Sequence, residues 1–111
     1  MEMATIKEVT ADFFKVTSSV ISKNSSKAYA AVVINGIKKS ASKEFPFLDF
    51  VKLDGNSIEV DERMDSVDPK KAGKCFMKIM DLLGPNLVKL LIIGEMPREN
   101  IEYLGSIGVK F

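Results

Sequence analysis

The first hydrophobic pattern in the chain is that of an amphipathic helix. Five apolar residues are separated by three or four positions, which is the spacing of one helix face. They are Ile6, Val9, Phe13, Val16 and Val20. Thr5 and Glu8 precede this stripe as a T-x-x-E capping box, a common helix start. The pattern predicts a helix from Ile6 to about Ser22.

Asn24-Ser25-Ser26 ends the first helix and offers an N-cap for the next one. The segment that follows, from Ser26 to Lys43, has two interpretations. As a helix, its buried-type residues recur at spacings of four, three and four. These are Ala30, Ile34, Ile37 and Ala41. As a strand, the apolar run from Tyr29 to Ile34 leads into Asn35-Gly36, which is a hairpin signal. We favour the helix, from about Ser26 to Lys43, because the residues after Gly36 make a poor return strand.

A β-hairpin is predicted next. Two apolar stretches, Phe47 to Leu53 and Ser57 to Asp61, flank the turn sequence Asp54-Gly55-Asn56. A four-residue connection sets four apolar side chains on one face and an opposite-charge pair on the other. The predicted pairs are Leu53 with Ile58, Val51 with Val60 and Lys52 with Glu59. The first strand is apolar on both faces, so we expect its second face to be covered.

Four further elements are predicted in the C-terminal half. Asp68-Pro69 supplies a helix N-cap and first residue, and Gly84-Pro85 supplies a helix end. The expected elements are a helix from Pro69 to Leu83, a buried strand from Leu87 to Ile93, a short helix from Pro97 to Gly105 and a last strand from Ile107 to Phe111. The complete order is α-α-β-β-α-β-α-β. It predicts a single α+β domain over residues 1–111, a two-layer α/β sandwich with a four-stranded mixed sheet and helices mainly on one face.

One stretch of the sequence resembles a known group of proteins. The run from Lys71 to Pro85, followed by Leu90 to Pro97 and combined with the hairpin, is similar in general pattern to a small family of uncharacterised archaeal proteins from thermoacidophiles. The resemblance implies a two-layer sandwich like the TATA-binding-protein-like folds. It implies no functional residues, because that family has no established function.

The amino-acid composition excludes several catalytic mechanisms because it lacks the residues that they need. The chain has no histidine and one cysteine, Cys75. Without histidine, Ser-His-Asp and Cys-His mechanisms are excluded, and one cysteine cannot build a zinc site. We expect a buried, inert thiol at Cys75. We therefore predict a protein that is not an enzyme and that uses no cofactor or metal.

The same features predict a cytoplasmic protein. The N-terminal residues show no basic and apolar signal-peptide pattern, and no apolar run approaches the ~18 residues that span a bilayer. A lone cysteine cannot form an intramolecular disulfide, which suits a reducing compartment. We expect no association with a membrane.

Charge in this chain is sorted by segment. Residues 13–43 contain six lysines and no acidic residue, whereas residues 44–68 contain eight acidic residues against two basic ones. Long stretches of a single sign suggest an interaction surface. The candidate binding residues are Lys38, Lys39, Lys43, Lys70, Lys71 and Lys74. Lysines outnumber arginines fourteen to two, which favours nonspecific phosphate contacts over base readout.

The predicted partner of this lysine-rich helical surface is nucleic acid or an acidic protein. Two alternatives remain open. In the first, the basic helices lie beside the acidic hairpin and are neutralised by it, which leaves an ordinary solvated surface. In the second, the chain is a protein-interaction or assembly domain, including a homo-oligomer, that uses its surplus of apolar residues. A metal-dependent enzyme using Asp61, Glu62 or Asp65 is a third class, but no EF-hand spacing supports it.

Overall fold

The computed structural model describes residues 5–54, 57–83, 91–92 and 94–109. These residues are mostly helical, and the strands among them form one two-stranded antiparallel sheet. The α-helices whose two ends lie within these ranges are α1 (Ile6–Asn24), α2 (Lys27–Ser42), α3 (Pro69–Leu83) and α4 (Arg98–Ser106). The strands are β1 (Val51–Asp54) and β2 (Ser57–Val60), and two 3₁₀ helices cover Pro46–Phe50 and Glu62–Ser66.

The first two helices confirm the sequence prediction, and each begins at the expected cap. The Thr5 hydroxyl accepts a hydrogen bond from the Glu8 N–H at 3.1 Å. At the second helix the Ser26 hydroxyl accepts from the Tyr29 N–H, also at 3.1 Å. These bonds satisfy N–H groups that have no partner within their helix. The alternative of a strand from Tyr29 to Ile34 is wrong.

The hairpin forms in the predicted register but is shorter than predicted. Val51 lies opposite Val60, Lys52 opposite Glu59 and Leu53 opposite Ile58. The stretch from Phe47 to Phe50, expected to be strand, is part of a 3₁₀ helix that starts at Pro46. Proline has no N–H for a strand ladder and its fixed φ suits a helical first turn, so the strand begins only at Val51.

The later helices also agree with prediction. α3 has the predicted bounds, and the Asp68 carboxylate accepts from the Lys70 N–H at 3.1 Å. α4 was expected from Pro97 to Gly105 and is displaced by one residue at each end, with Pro97 as its N-cap. The expected helix end at Gly84-Pro85 lies outside the described residues.

The predicted two-layer α/β sandwich, with its four-stranded mixed sheet and TATA-binding-protein-like fold, is wrong. Leu91 and Ile92 are helical where a strand was expected, and Ile107 and Gly108 form a turn. The remainder of those two predicted strands, residues 87–90, 93 and 110–111, lies outside the described residues. A short apolar run has the same hydrophobicity in a buried strand and a buried helix, so its pattern cannot distinguish them.

The core is built around α1. This helix packs against α2, β2, α4 and the second 3₁₀ helix, and α2 packs in turn against α3 and the first 3₁₀ helix. The Phe13 ring lies 5.0 Å from that of Phe76 on α3 and meets Phe14 edge to face at 5.8 Å. Leu48, from the 3₁₀ helix, is fully buried in the same cluster. Because α2 buries only its inner face in this core, its outer face is left to solvent.

None of the helices in the described ranges is both long and apolar enough to cross a membrane.

Candidate functional site

The outer face of α2 carries an exposed stripe that mixes apolar and basic side chains. Its members follow one another at spacings of three and four residues, opposite the buried Ala30, Ile34 and Ala41. We call this stripe the α2 solvent face; it consists of Tyr29, Val32, Gly36, Lys39 and Lys43. Tyr29 is 57% exposed and Val32 is 69% exposed. At 1.5 Å per residue the stripe is about 21 Å long.

The lysines of this face are not neutralised by ion pairs. α2 contains no acidic residue. The ion pairs in the described part of the chain are Lys23–Glu95, Arg63–Asp61 and Arg98–Glu102. None of them involves a candidate lysine. The positive charge of α2 is therefore available to an external partner.

Lys38 and Lys39 line an open groove of about 320 Å³ together with Asn35, Ser42 and Asp49. Asp49 belongs to the first 3₁₀ helix, which packs against α2. The acidic segment thus reaches this part of the basic surface with one carboxylate, which offsets part of the charge of the two lysines. The neutralisation of the basic helices by the acidic hairpin stays a prediction, because Asp49 lies in the 3₁₀ helix that precedes the hairpin strands.

Lys70 and Lys74 line a different groove, of about 310 Å³, with Ser106, Ile107 and Gly108. Those three residues lie at the C-terminal end of α4, where helix carbonyl groups carry partial negative charge. The ammonium groups of Lys70 and Lys74 beside that end stabilise α4, so their charge has a structural role. Lys71 is exposed on α3 and lines neither groove. The six candidate lysines therefore divide between α2 and α3 and do not converge on one groove.

Asp61 and Asp65, two of the three acidic residues considered for a metal site, accept hydrogen bonds from backbone N–H groups. The Asp61 carboxylate accepts from the Arg63 N–H at 2.9 Å and from its guanidinium at 3.0 and 3.1 Å. These bonds lower the pKa of Asp61 to about 2. Asp65 accepts from the Lys7 N–H at 2.9 Å, in the first turn of α1. Among the described residues no three acidic or cysteine side chains are grouped to hold a metal ion.

Cys75 is buried in the core, as the sequence predicts. Burial, with a smaller contribution from the charge of Glu44, raises the pKa of the thiol to about 12. The reactive form of cysteine is the thiolate, so this residue has no nucleophilic character at neutral pH.

Tyr29 and Val32 belong to the α2 solvent face but are not among the binding residues predicted from the sequence. The signal was present in the sequence. Once α2 is a helix with Ala30, Ile34 and Ala41 inward, the same periodicity turns both side chains outward. Their exposure was obscured because an apolar residue is expected to be buried.

No known protein family, curated protein or solved structure matches this chain. The resemblance to an archaeal family stays a prediction, and the sandwich that it implied is the part corrected above.

Proposed function

We propose that this protein is a binding module, not an enzyme, and that its α2 solvent face binds nucleic acid without sequence preference. Lys39 and Lys43, helped by Lys38, contact phosphates, while Tyr29 stacks on a base. The observation that carries this proposal is one exposed helix face that combines an aromatic ring with lysines that form no ion pair with any described residue.

The electrostatic part of the proposal follows from the charge of α2. Lysines that neutralise phosphates release condensed counterions, which provides most of the free energy of nonspecific binding. A lysine ammonium is a point charge without the planar fork that arginine uses on guanine or phosphate, so this face has little means of reading sequence. Lys70, Lys71 and Lys74 contribute less in this scheme, because the α4 carbonyl end shares the groove of two of them.

The aromatic part of the proposal favours single strands. Bases in a duplex are already stacked, whereas a base in a single strand can lie on an exposed ring. The Tyr29 side chain is 57% exposed and stands on the same stripe as the lysines.

The test is fluorescence anisotropy with a labelled 12-nucleotide single strand at about 50 mM salt. We expect the variant K38E/K39E to abolish binding while its far-ultraviolet circular dichroism stays that of the folded protein. The matched control is K52E/K78E, which makes the same change in net charge on exposed positions of β1 and α3 outside the candidate lysines. Equal losses in the two variants would show a general effect of net charge and contradict the assignment to α2.

Tyr29 is tested separately from the lysines. Base stacking on an aromatic side chain is worth about 1–3 kcal/mol, so Tyr29→Ala should weaken single-strand binding by about tenfold. Tyr29→Phe keeps the ring and should bind like the unmodified protein. A duplex of the same sequence should respond little to either variant. Equal affinity of all three proteins for the single strand would remove stacking from the proposal.

A second function, docking of an acidic protein, is favoured by one residue. Val32 is 69% exposed beside Tyr29, and an exposed aliphatic side chain is of more use to a protein surface than to a phosphate backbone. The apolar residues first considered for such an interface are used elsewhere: Leu48 and Val51 are fully buried, and Phe47 and Phe50 pack against the core. Val32→Ser distinguishes the two functions, because it should leave oligonucleotide binding unchanged.

The oligomeric state gives an independent check on an assembly role. Light scattering after size exclusion should show a monomer if the α2 solvent face is reserved for nucleic acid. A dimer that persists at high salt and is lost in Val32→Ser would favour assembly through this face instead. A cytoplasmic location remains our prediction and suits both functions.

A further inference from the structure

A third lysine-lined groove runs along the first helix. It has a volume of about 210 Å³, and its lining contains two lysines, three serines and one isoleucine. The residues are Lys15, Ser18, Ser19, Ser22, Lys27 and Ile58. The first four follow one another at spacings of three, one and three, so they share one face of α1. Lys27 is the first residue of α2, and Ile58 belongs to β2, which packs against α1.

The groove offers hydrogen-bond donors that the protein itself leaves unused. The half-buried hydroxyls of Ser18 and Ser19 make no hydrogen bond within the described part of the chain, while the Ser22 hydroxyl donates to the Ser19 carbonyl at 3.1 Å. Lys15 and Lys27 take part in none of the ion pairs of that part of the chain. The arrangement is two positive charges beside two half-buried hydroxyls that lack an internal partner.

The start of α2 adds to the positive potential. Lys27 occupies the first position of this helix of 16 residues, after the N-cap Ser26. The first N–H groups of a helix have no partner within it and carry partial positive charge. One of them, that of Tyr29, is taken by the Ser26 hydroxyl. Lys27, which lines the groove, belongs to the same first turn.

Among the described residues no carboxylate lines this groove. Asp12 lies one turn before Lys15 and accepts a hydrogen bond from the Asn100 side-chain amide at 2.7 Å. Glu59 follows Ile58 on β2 and, because neighbouring residues of a strand alternate between its two faces, it lies on the face opposite to that of Ile58. This groove therefore differs from the one at Lys38 and Lys39, where Asp49 is part of the lining.

We propose that the groove along α1 is a binding site for one phosphate group, carried by inorganic phosphate or by a small phosphomonoester. The two ammonium groups balance its negative charge, and the hydroxyls of Ser18 and Ser19 donate to its oxygens. Phosphate is the fitting class because it accepts several charge-assisted hydrogen bonds at once. The proposal uses none of the residues of the α2 solvent face and does not depend on nucleic-acid binding.

The test is a titration of the ¹⁵N-labelled protein with inorganic phosphate at constant ionic strength, followed by amide chemical shifts. We expect saturable, one-to-one shifts at Ser18, Ser19 and Lys27. The variant K15Q/K27Q should weaken binding at least about tenfold, because each hydrogen bond to a charged group is worth about 1.5–3 kcal/mol. Shifts that grow linearly without saturation in the unmodified protein would overturn the site.

The matched control removes two lysines from the α2 solvent face instead. K39Q/K43Q should bind phosphate like the unmodified protein while losing oligonucleotide affinity, which separates this site from the proposed function. Parallel titrations with glycerol phosphate and with the 12-nucleotide strand identify the carrier of the phosphate. Saturation by phosphate or glycerol phosphate supports the site. A response of these amides to the oligonucleotide alone would make the groove part of a nucleic-acid surface and overturn the proposal.

Discussion

Gly73 on α3 is the position where a single added methyl group should be most informative. A Cβ built there would lie 2.6 Å from the Ile107 carbonyl oxygen, in the turn that follows α4. That turn is held by its own backbone: the Ile107 N–H donates to the carbonyls of Tyr103 and Leu104, both at 3.2 Å. Gly73→Ala therefore has to displace backbone, not the flexible end of a side chain.

The magnitude follows from two opposing effects. An ordinary contact begins at 3.4 Å, so α3 and the turn must separate by several tenths of an ångström. Such overpacking costs about 1–3 kcal/mol. Replacing glycine by alanine inside a helix returns about 1 kcal/mol. We expect Gly73→Ala to lower the free energy of unfolding by about 0–2 kcal/mol.

Gly36 provides the matched control, because it lies within α2 and a Cβ there would meet nothing within 4 Å. Gly36→Ala should gain the helix propensity alone and raise the free energy of unfolding by about 1 kcal/mol. The difference between the two variants then isolates the overpacking, about 1–3 kcal/mol in urea denaturation followed by circular dichroism. If Gly73→Ala is stabilised as much as Gly36→Ala, the packing of α3 against the Ile107 turn is not as described.

Three further predictions concern the Thr10 hydroxyl compared with that of Thr17, the Asp61 carboxylate and the Cys75 thiol. The buried Thr10 hydroxyl has no hydrogen-bond partner among the described residues, so Thr10→Val should stabilise the protein by about 1 kcal/mol. Thr17→Val should not, because the Thr17 hydroxyl donates to the Phe13 carbonyl at 2.7 Å; urea denaturation compares the two variants. Asp61 has a folded-state pKa lowered from 3.8 to about 2, so its stabilisation is complete above the unfolded pKa and is lost as pH falls through the folded one. The stability difference between the unmodified protein and Asp61→Asn should therefore be constant near neutral pH and shrink between pH 4 and 2; a constant difference across that window would contradict the ion pair. Cys75 should react with a thiol reagent at pH 8 only as fast as the protein unfolds, and immediate labelling of the native state would contradict its burial and its pKa of about 12.

Local signals were sufficient for the elements whose ends are marked by side chains. Thr5, Ser26 and Asp68 each cap the helix that the sequence assigns to them, because a cap is a bond between neighbours in sequence. The hairpin register could be predicted for a similar reason. A turn of fixed length leaves one pairing that sets Lys52 opposite Glu59 and the apolar residues on one face.

Elements that depend on tertiary packing could not be predicted in this way. Whether the apolar residues at Leu91 and Ile92 are strand or helix is decided by what covers them, and Ile92 is fully buried while Leu91 is 40% exposed. Pro46 is a local signal that Phe47 to Phe50 are not strand, because proline lacks the N–H that a strand ladder needs. With those segments assigned as strands, a four-stranded sheet followed and the fold class was wrong.

The candidate site likewise has one part that local sequence signals predict and one part that depends on tertiary packing. The basic character of α2 was visible in the sequence because residues 13–43 contain no acid. The division of the six lysines into two surfaces depends on contacts distant in sequence. Asp49 reaches the groove of Lys38, and the end of α4 reaches the groove of Lys74.

The salt dependence of oligonucleotide binding tests the central claim most directly. The logarithm of the binding constant should fall linearly with the logarithm of salt concentration between about 50 and 200 mM, with a slope of about −0.7 per phosphate contact on a single strand. K39Q/K43Q removes two proposed contacts, so its slope should be shallower by about 1.4. K52Q/R98Q removes the same charge from exposed positions on β1 and α4 and should keep the slope of the unmodified protein. Identical slopes in all three proteins, or no binding at the lower salt, would contradict a nucleic-acid surface on α2.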